Sequence, residues 1–175
     1  ASISIGQEIG VTPLQMVSAV AAIANDGVLM KPYVVSEIRD ADSHILRQVP
    51  PQAKRRVISP ETARSVTKIL EGVVTDGTGT NAAIPGFRVA GKTGTAQKID
   101  PRTGAYSASR FVASFTGYAP ADNPQLAMIV VIDEPQGDTL GGAVAAPVFS
   151  RVGEQVLSYL GVPSNAPITL AMASR

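Results

Sequence analysis

Apolar residues crowd positions 14–24, with Leu14, Met16, Val17, Val20 and Ile23 spaced by alanines. Ahead of them, Thr12-Pro13-Leu14-Gln15 carries a threonine cap, a proline at the first helical position and a glutamine three residues after the cap. This predicts a helix through Asn25, ended by Asp26-Gly27, and its apolar character on most sides predicts a buried central helix. Residues 32–38 and 45–49 then flank the turn-forming residues 39–43, the pattern of a β-hairpin. Ser59-Pro60-Glu61 opens a second helix with Ala63, Val66, Ile69, Leu70, Val73 and Val74 on one face, and the Gly-rich loop 75–80 stops it. Three strands follow at 87–97, 111–118 and 125–133. Their links, 99–109 and 119–124, are rich in Pro, Gly, Asp and Asn without helical period, so the strands are expected to be antiparallel neighbours. A last helix is predicted over about residues 145–160, with Val148, Phe149, Val152, Val156, Tyr159 and Leu160 on one side and Gly161 and Pro163 ending it. Residues 164–175 show no pattern and read as a loose tail.

The order of elements gives an α+β class: an antiparallel sheet, made of a three-strand meander plus a hairpin, packed with helices. The 175 residues fit one domain, and 45% hydrophobic with 17% charged residues describe an ordinary globular core. With a net charge of +1, no long-range field steers the chain toward nucleic acid. The absence of cysteine excludes disulfides and thiol chemistry. No apolar run reaches the roughly 18 residues of a membrane-spanning helix. The chain begins at Ala1 without an initiator Met and is expected to be a piece of something longer.

Chemistry concentrates in Lys92-Thr93-Gly94-Thr95. Lys92 brings a cation, Thr93 and Thr95 bring hydroxyls that can bind a carboxylate, and Gly94 lets a ligand lie against the backbone. Three other matches carry less. Residues 86–93 fit the phosphate-loop pattern G-x-x-x-x-G-K-[ST], and residues 126–134 resemble the acid-tipped strand of a nucleotide hydrolase. Such a loop must open a helix, whereas residues after Thr95 run into Asp100-Pro101 and Gly104. Ser65-Val-Thr-Lys68 is the one plausible Ser-x-x-Lys, but Ser65 lies about six residues into its helix on a polar face with Glu61, Arg64 and Glu71. His44, the single histidine, sits beside a hairpin turn and reads as surface loop. No pattern asks for a cofactor or a metal.

Lys-Thr-Gly is a site motif of penicillin-binding proteins and serine β-lactamases. The likeness extends to Ile5-Gly6-Gln7, Val11-Thr-Pro-Leu-Gln15, Ala24-Asn-Asp-Gly27 with Lys31-Pro32, Gly77-Thr-Gly79, Ala82-Ala-Ile-Pro-Gly86, Ser114, Gly117-Tyr-Ala-Pro120 and Ile132-Asp-Glu-Pro135. Together these resemble the C-terminal half of a class B penicillin-binding protein. The wording of residues 89–97 and 144–149 is most similar to the division-type (septal) members. The resemblance implies that residues 1–163 are the C-terminal part of a transpeptidase domain. It also implies D,D-transpeptidation, in which a serine attacks the D-Ala-D-Ala bond of a peptidoglycan stem peptide and an amine from a neighbouring strand resolves the acyl-enzyme. β-Lactams mimic the dipeptide and trap the acyl state.

By motif position, Lys92 is expected to organise the polar network around the nucleophile. Thr93 and Thr95 are expected to bind the substrate or drug carboxylate, Gly94 to leave room for substrate, and the Thr95 amide to supply an oxyanion-hole donor. The resemblance further implies division or elongation machinery as partners. It also implies the extracytoplasmic face of the bacterial membrane, with the anchor upstream. The Ser-x-x-Lys nucleophile and Ser-x-Asn motifs belong upstream of Ala1 and are missing from these residues, so the chain alone is expected to be inactive. It is also expected to self-associate through bare sheet edges. The alternatives are a non-catalytic penicillin-recognition module or sensor and, third, a P-loop NTPase.

Overall fold

Thr12 caps helix α1 (Pro13–Ala24) in a full capping box. Its hydroxyl accepts from Gln15 N at 3.2 Å, and Gln15 Oε1 accepts from Thr12 N at 2.8 Å. The chain, a computed structural model, is described over residues 9–164. Ile5-Gly6-Gln7 and residues 165–175 of the expected tail lie outside the described residues. Ser164, the first residue assigned to that tail, is tied back: its hydroxyl donates to Gly86 O at 2.9 Å.

The helix is present as expected, but its expected burial is not. Ala22 is its one buried residue, and Leu14 is 59% exposed. Val20, Ile23 and Ala24 pack against the main sheet, while Leu14, Ala19 and Ile23 line an open apolar groove of about 680 Å³. Apolar residues all round a helix register how much surface can be covered, not which side this chain covers.

Strand β1 (Val28–Met30) pairs antiparallel with β4 (Ala53–Arg56), and between them β2 (Glu37–Arg39) pairs with β3 (Ile45–Gln48). The expected hairpin is therefore real but shorter, because residues 32–36 are not strand. It is the tip of a longer excursion closed by a second ribbon that alternation did not reveal. β4 reads Ala-Lys-Arg-Arg, and all four residues are exposed, so no apolar period marks it.

Ser59 caps α2 (Pro60–Thr75), accepting from Thr62 N at 3.1 Å, and a short 3-10 turn at Thr80–Ala82 follows. Of the expected apolar face, Ala63 and Val74 are buried while Ile69 is exposed. Then comes the antiparallel meander β5 (Ala90–Ile99), β6 (Tyr106–Ala119) and β7 (Leu126–Asp133), in the order β5-β6-β7. β6 starts five residues earlier than expected. The link before it shrinks to 100–105, turned by Gly104 N donating to Asp100 O at 2.8 Å.

The two faces of β6 bury different partners. Phe115 points to α4 (Ala146–Tyr159) and meets Phe149 edge-on, with ring centroids 4.7 Å apart. Tyr118 points the other way, with Ala90 and Ala121, beneath α1 and Leu70 of α2. The buried stripe of α4 is Ala146, Phe149, Gly153 and Leu157. Of the expected stripe only Phe149 is fully buried, and Tyr159 is 90% exposed. Gly153 decides the stripe, because a side chain there would strike Ile84. A four-residue helix, α3 (Gly141–Val144), precedes α4 and was not foreseen. The phosphate-loop match fails here as the sequence argued: Gly91, Lys92 and Thr93 are strand, not a helix start.

Candidate functional site: the Lys-Thr-Gly-Thr strand

Register places Lys92 opposite Thr116, Thr93 opposite Phe115, Gly94 opposite Ser114 and Thr95 opposite Ala113. Strand alternation sends Lys92 and Gly94 to one face and Thr93 and Thr95 to the other. The Lys92 stem is long enough to bring its charge to Thr93 across that alternation. Its ammonium reaches back to donate to Thr93 O at 2.9 Å and to Thr93 Oγ1 at 3.3 Å. Lys92 is exposed, and among the described residues no carboxylate pairs with it. An ammonium without a counter-ion beside hydroxyls is suited to an anion.

The hydroxyls are held from the other side. Thr95 Oγ1 accepts from Gly141 N at 3.1 Å. An amide can only donate, so this bond leaves the Thr95 proton free to point at an acceptor. Thr93 Oγ1 lies 2.8 Å from Thr78 Oγ1, and Asn81 Nδ2 donates to Gly142 O at 2.9 Å. Gly141 and Gly142 allow this approach: a Cβ on Gly141 would overlap the Ser114 and Gly94 carbonyl oxygens, and one on Gly142 the Thr78 oxygen. Gly94 faces the Ser114 hydroxyl, where a Cβ would also collide.

The sequence singled out Lys92, Thr93, Gly94 and Thr95, four consecutive residues of β5 whose two hydroxyls the fold contacts from the Thr78 loop and from Gly141. It assigned no role to Thr78, Asn81, Gly141 or Gly142. The Gly77-Thr78-Gly79 wording and the Gly141-Gly142 pair were the available signals, but neither says which strand the loop touches.

Several charges elsewhere are spent on structure. Lys98 binds Asp133 at 2.9 Å and Glu134 at 2.7 Å, and these bonds, Glu134 first, raise its pKa. Asp133 and Glu134, which close the strand that resembled a nucleotide hydrolase, are therefore ion-pair partners. Ser65 is exposed on α2 and donates its hydroxyl to Glu61 O at 2.9 Å, a helix-surface bond with no nucleophile's geometry. His44 is exposed on the hairpin beside Asp40 and Asp42. Asp40 Oδ1 there accepts from the amides of Asp42 at 3.0 Å and His44 at 2.8 Å, the bonds of a tight turn. No described helix is long and apolar enough to cross a membrane.

A strand-borne Lys-Thr-Gly-Thr backed by two helical layers defines a class of protein, and comparison with known sequences agrees. Residues 1–154 match the family described as the penicillin binding protein transpeptidase domain. Stage V sporulation protein D of Bacillus subtilis is 43% identical over 164 residues, which cover 93% of this chain and 25% of that protein. Peptidoglycan D,D-transpeptidase FtsI of Escherichia coli is 36% identical over 171 residues, covering 97% of this chain and 27% of that one. Among solved structures, penicillin binding protein 3 of Mycobacterium tuberculosis, complexed with aztreonam, has a TM-score of 0.82 at 35% identity. The match covers 95% of this chain and 39% of that one.

This chain belongs to the penicillin-binding protein transpeptidase domain family. The resemblance to division-type class B members and the α+β transpeptidase fold are both borne out by these relatives. The chain spans about a quarter of the length of the curated relatives it matches.

Proposed function

We propose that residues 1–163 form the C-terminal part of a transpeptidase domain and contribute one wall of the active site of a peptidoglycan D,D-transpeptidase. In that reaction a serine outside this chain attacks the carbonyl carbon of the D-Ala-D-Ala amide. The terminal D-Ala leaves, and an amine from a neighbouring stem peptide takes the acyl group. Thr93 and Thr95 bind the terminal carboxylate of the stem peptide or the carboxylate of a β-lactam. The Thr95 amide donates to the developing oxyanion, and Gly94 leaves clearance for the ligand backbone. Lys92 places its charge in the polar network around the nucleophile. The parent works at the extracytoplasmic membrane face with division or elongation machinery.

The observation that carries this reading is an ammonium that has no carboxylate partner among the described residues and bonds the Thr93 hydroxyl, with the Thr93 and Thr95 hydroxyls both held from behind. The naming of FtsI as a D,D-transpeptidase and the aztreonam complex of the Mycobacterium tuberculosis protein support it.

Losing an acyl-transfer nucleophile costs many orders of magnitude in rate, so the 175-residue chain alone is inactive. Incubation with a fluorescent penicillin should leave its intact mass unchanged, while the full-length protein is labelled on one serine. In the full-length protein Lys92→Ala should slow labelling strongly. In this chain the same change should barely move the thermal midpoint, since among the described residues the exposed ammonium bonds only to its neighbour Thr93. A stable adduct on Ser65 of the isolated chain would overturn the reading.

A further inference from the structure

Thr78 stands in the loop between the end of α2 and the 3-10 turn, far in sequence from the strand it touches. Its hydroxyl oxygen is 2.8 Å from that of Thr93, and either could be the donor. The loop is pressed into place on three sides. A Cβ on Gly77 would strike Val73, one on Gly79 would crowd the Phe115 ring at 3.0 Å, and one on Gly142 would overlap the Thr78 carbonyl. Gly79 N also donates to Val73 O at 2.9 Å. Thr78 is therefore a fixed post, not a mobile loop residue.

We propose that Thr78 is a positioning residue, holding the Thr93 hydroxyl so that its proton points at the carboxylate of the ligand; this rests on the carboxylate site proposed above. The donor directions follow from simple inventory. A hydroxyl has one proton and two lone pairs. The Lys92 ammonium has only donors, so its 3.3 Å contact occupies one lone pair of Thr93 Oγ1. An ionised carboxylate only accepts, so Thr93 must spend its proton on the ligand. The one role left for Thr78 is to donate into the second lone pair of Thr93. Thr95 has a parallel arrangement, with the Gly141 amide as the fixed donor. Both hydroxyls are then backed by donors, and both protons face the ligand.

Without Thr78, nothing among these bonds stops Thr93 from turning its proton away or exchanging hydroxyl for methyl about its first side-chain torsion. The cost falls on ligands that carry a carboxylate and spares those that do not.

The test uses the full-length protein that contains this chain and its serine nucleophile, acylated by benzylpenicillin and by its methyl ester. Thr78→Val keeps shape and removes the donor. It should lower the acylation rate constant for the free acid about five- to tenfold, the worth of one hydrogen bond. The rate with the ester should stay within about twofold, given that this bond serves only the carboxylate. Thr78→Ala should show the same selective loss, and Thr78→Ser should restore the preference for the acid. Equal losses with acid and ester, or a fall in thermal midpoint that accounts for the rate, would make Thr78 merely structural and overturn the proposal. Thr93→Val is the reference. If it lowers the acid-to-ester preference and Thr78→Val does not, the Thr78 assignment alone fails. If Thr93→Val also leaves that preference unchanged, the carboxylate site itself is misassigned.

Discussion

Arg88 grips Glu71 through two parallel bonds, Nε to Oε1 at 2.8 Å and Nη2 to Oε2 at 2.9 Å. The pair ties α2 to the residues that lead into β5, and so fixes the helix against the strand that bears Lys92, Thr93 and Thr95. The fork raises the pKa of Arg88, with the Glu71 hydrogen bond the main cause. Glu71 is largely covered and Arg88 half-exposed, so water screens part of the attraction. Glu71→Gln should keep one bond and lose the charge match, lowering stability by about 1 kcal/mol. Urea titration of the two proteins would show it, and an unchanged midpoint would mean the fork is ornamental.

Two glycines at the site should differ in how much they lose from the same change. A methyl on Gly141 meets two backbone carbonyls, which cannot turn aside. Gly141→Ala should therefore cost about 2–4 kcal/mol and dislodge the amide that supports Thr95. A methyl on Gly94 meets the Ser114 hydroxyl, the end of a side chain that can rotate. Gly94→Ala should cost under about 1 kcal/mol and act instead on ligand access. Thermal melts of both variants would separate the cases.

Tyr118 is fully buried, and its hydroxyl bonds the Thr67 hydroxyl at 2.8 Å. Burial raises the phenol pKa above the ordinary 10.0, only partly offset by the Thr67 bond. An unfolded chain ionises this group near its ordinary value, while the folded chain holds the proton to higher pH. Its contribution to stability is thus intact below about pH 10 and is lost as pH rises through the folded value. Tyr118→Phe should cost about 1 kcal/mol at neutral pH and flatten the alkaline fall in stability. Denaturant midpoints between pH 8 and 11 would test the slope.

β5 and β7 each pair only with β6 among the described residues. Together with the open groove beside α1, this predicts that the chain on its own self-associates, with the β5 edge the favoured contact. Light scattering over a concentration series should show growth in mass. A strict monomer at high concentration, with freely exchanging edge amides, would contradict it.

Local chemistry made much of the chain legible. Thr12 and Gln15 marked one helix start, Ser59 another, and the meander followed from link composition, because caps and short turns are settled by residues within a few positions. Lys92, Thr93 and Thr95 were visible for the same reason, as neighbours on one strand. What only the tertiary structure decided was everything set by partners distant in sequence. Periodicity could not say that α1 leaves one side open, since burial depends on what arrives to cover it. Nor could it choose the Gly153 stripe of α4 over the Val152 one, because Ile84 makes that choice across the core. The pairing of Thr78 with Thr93 spans 15 residues and a short 3-10 turn. A hydrogen bond between two ordinary threonines leaves no mark in composition, so only the folding of the loop onto the strand could reveal it.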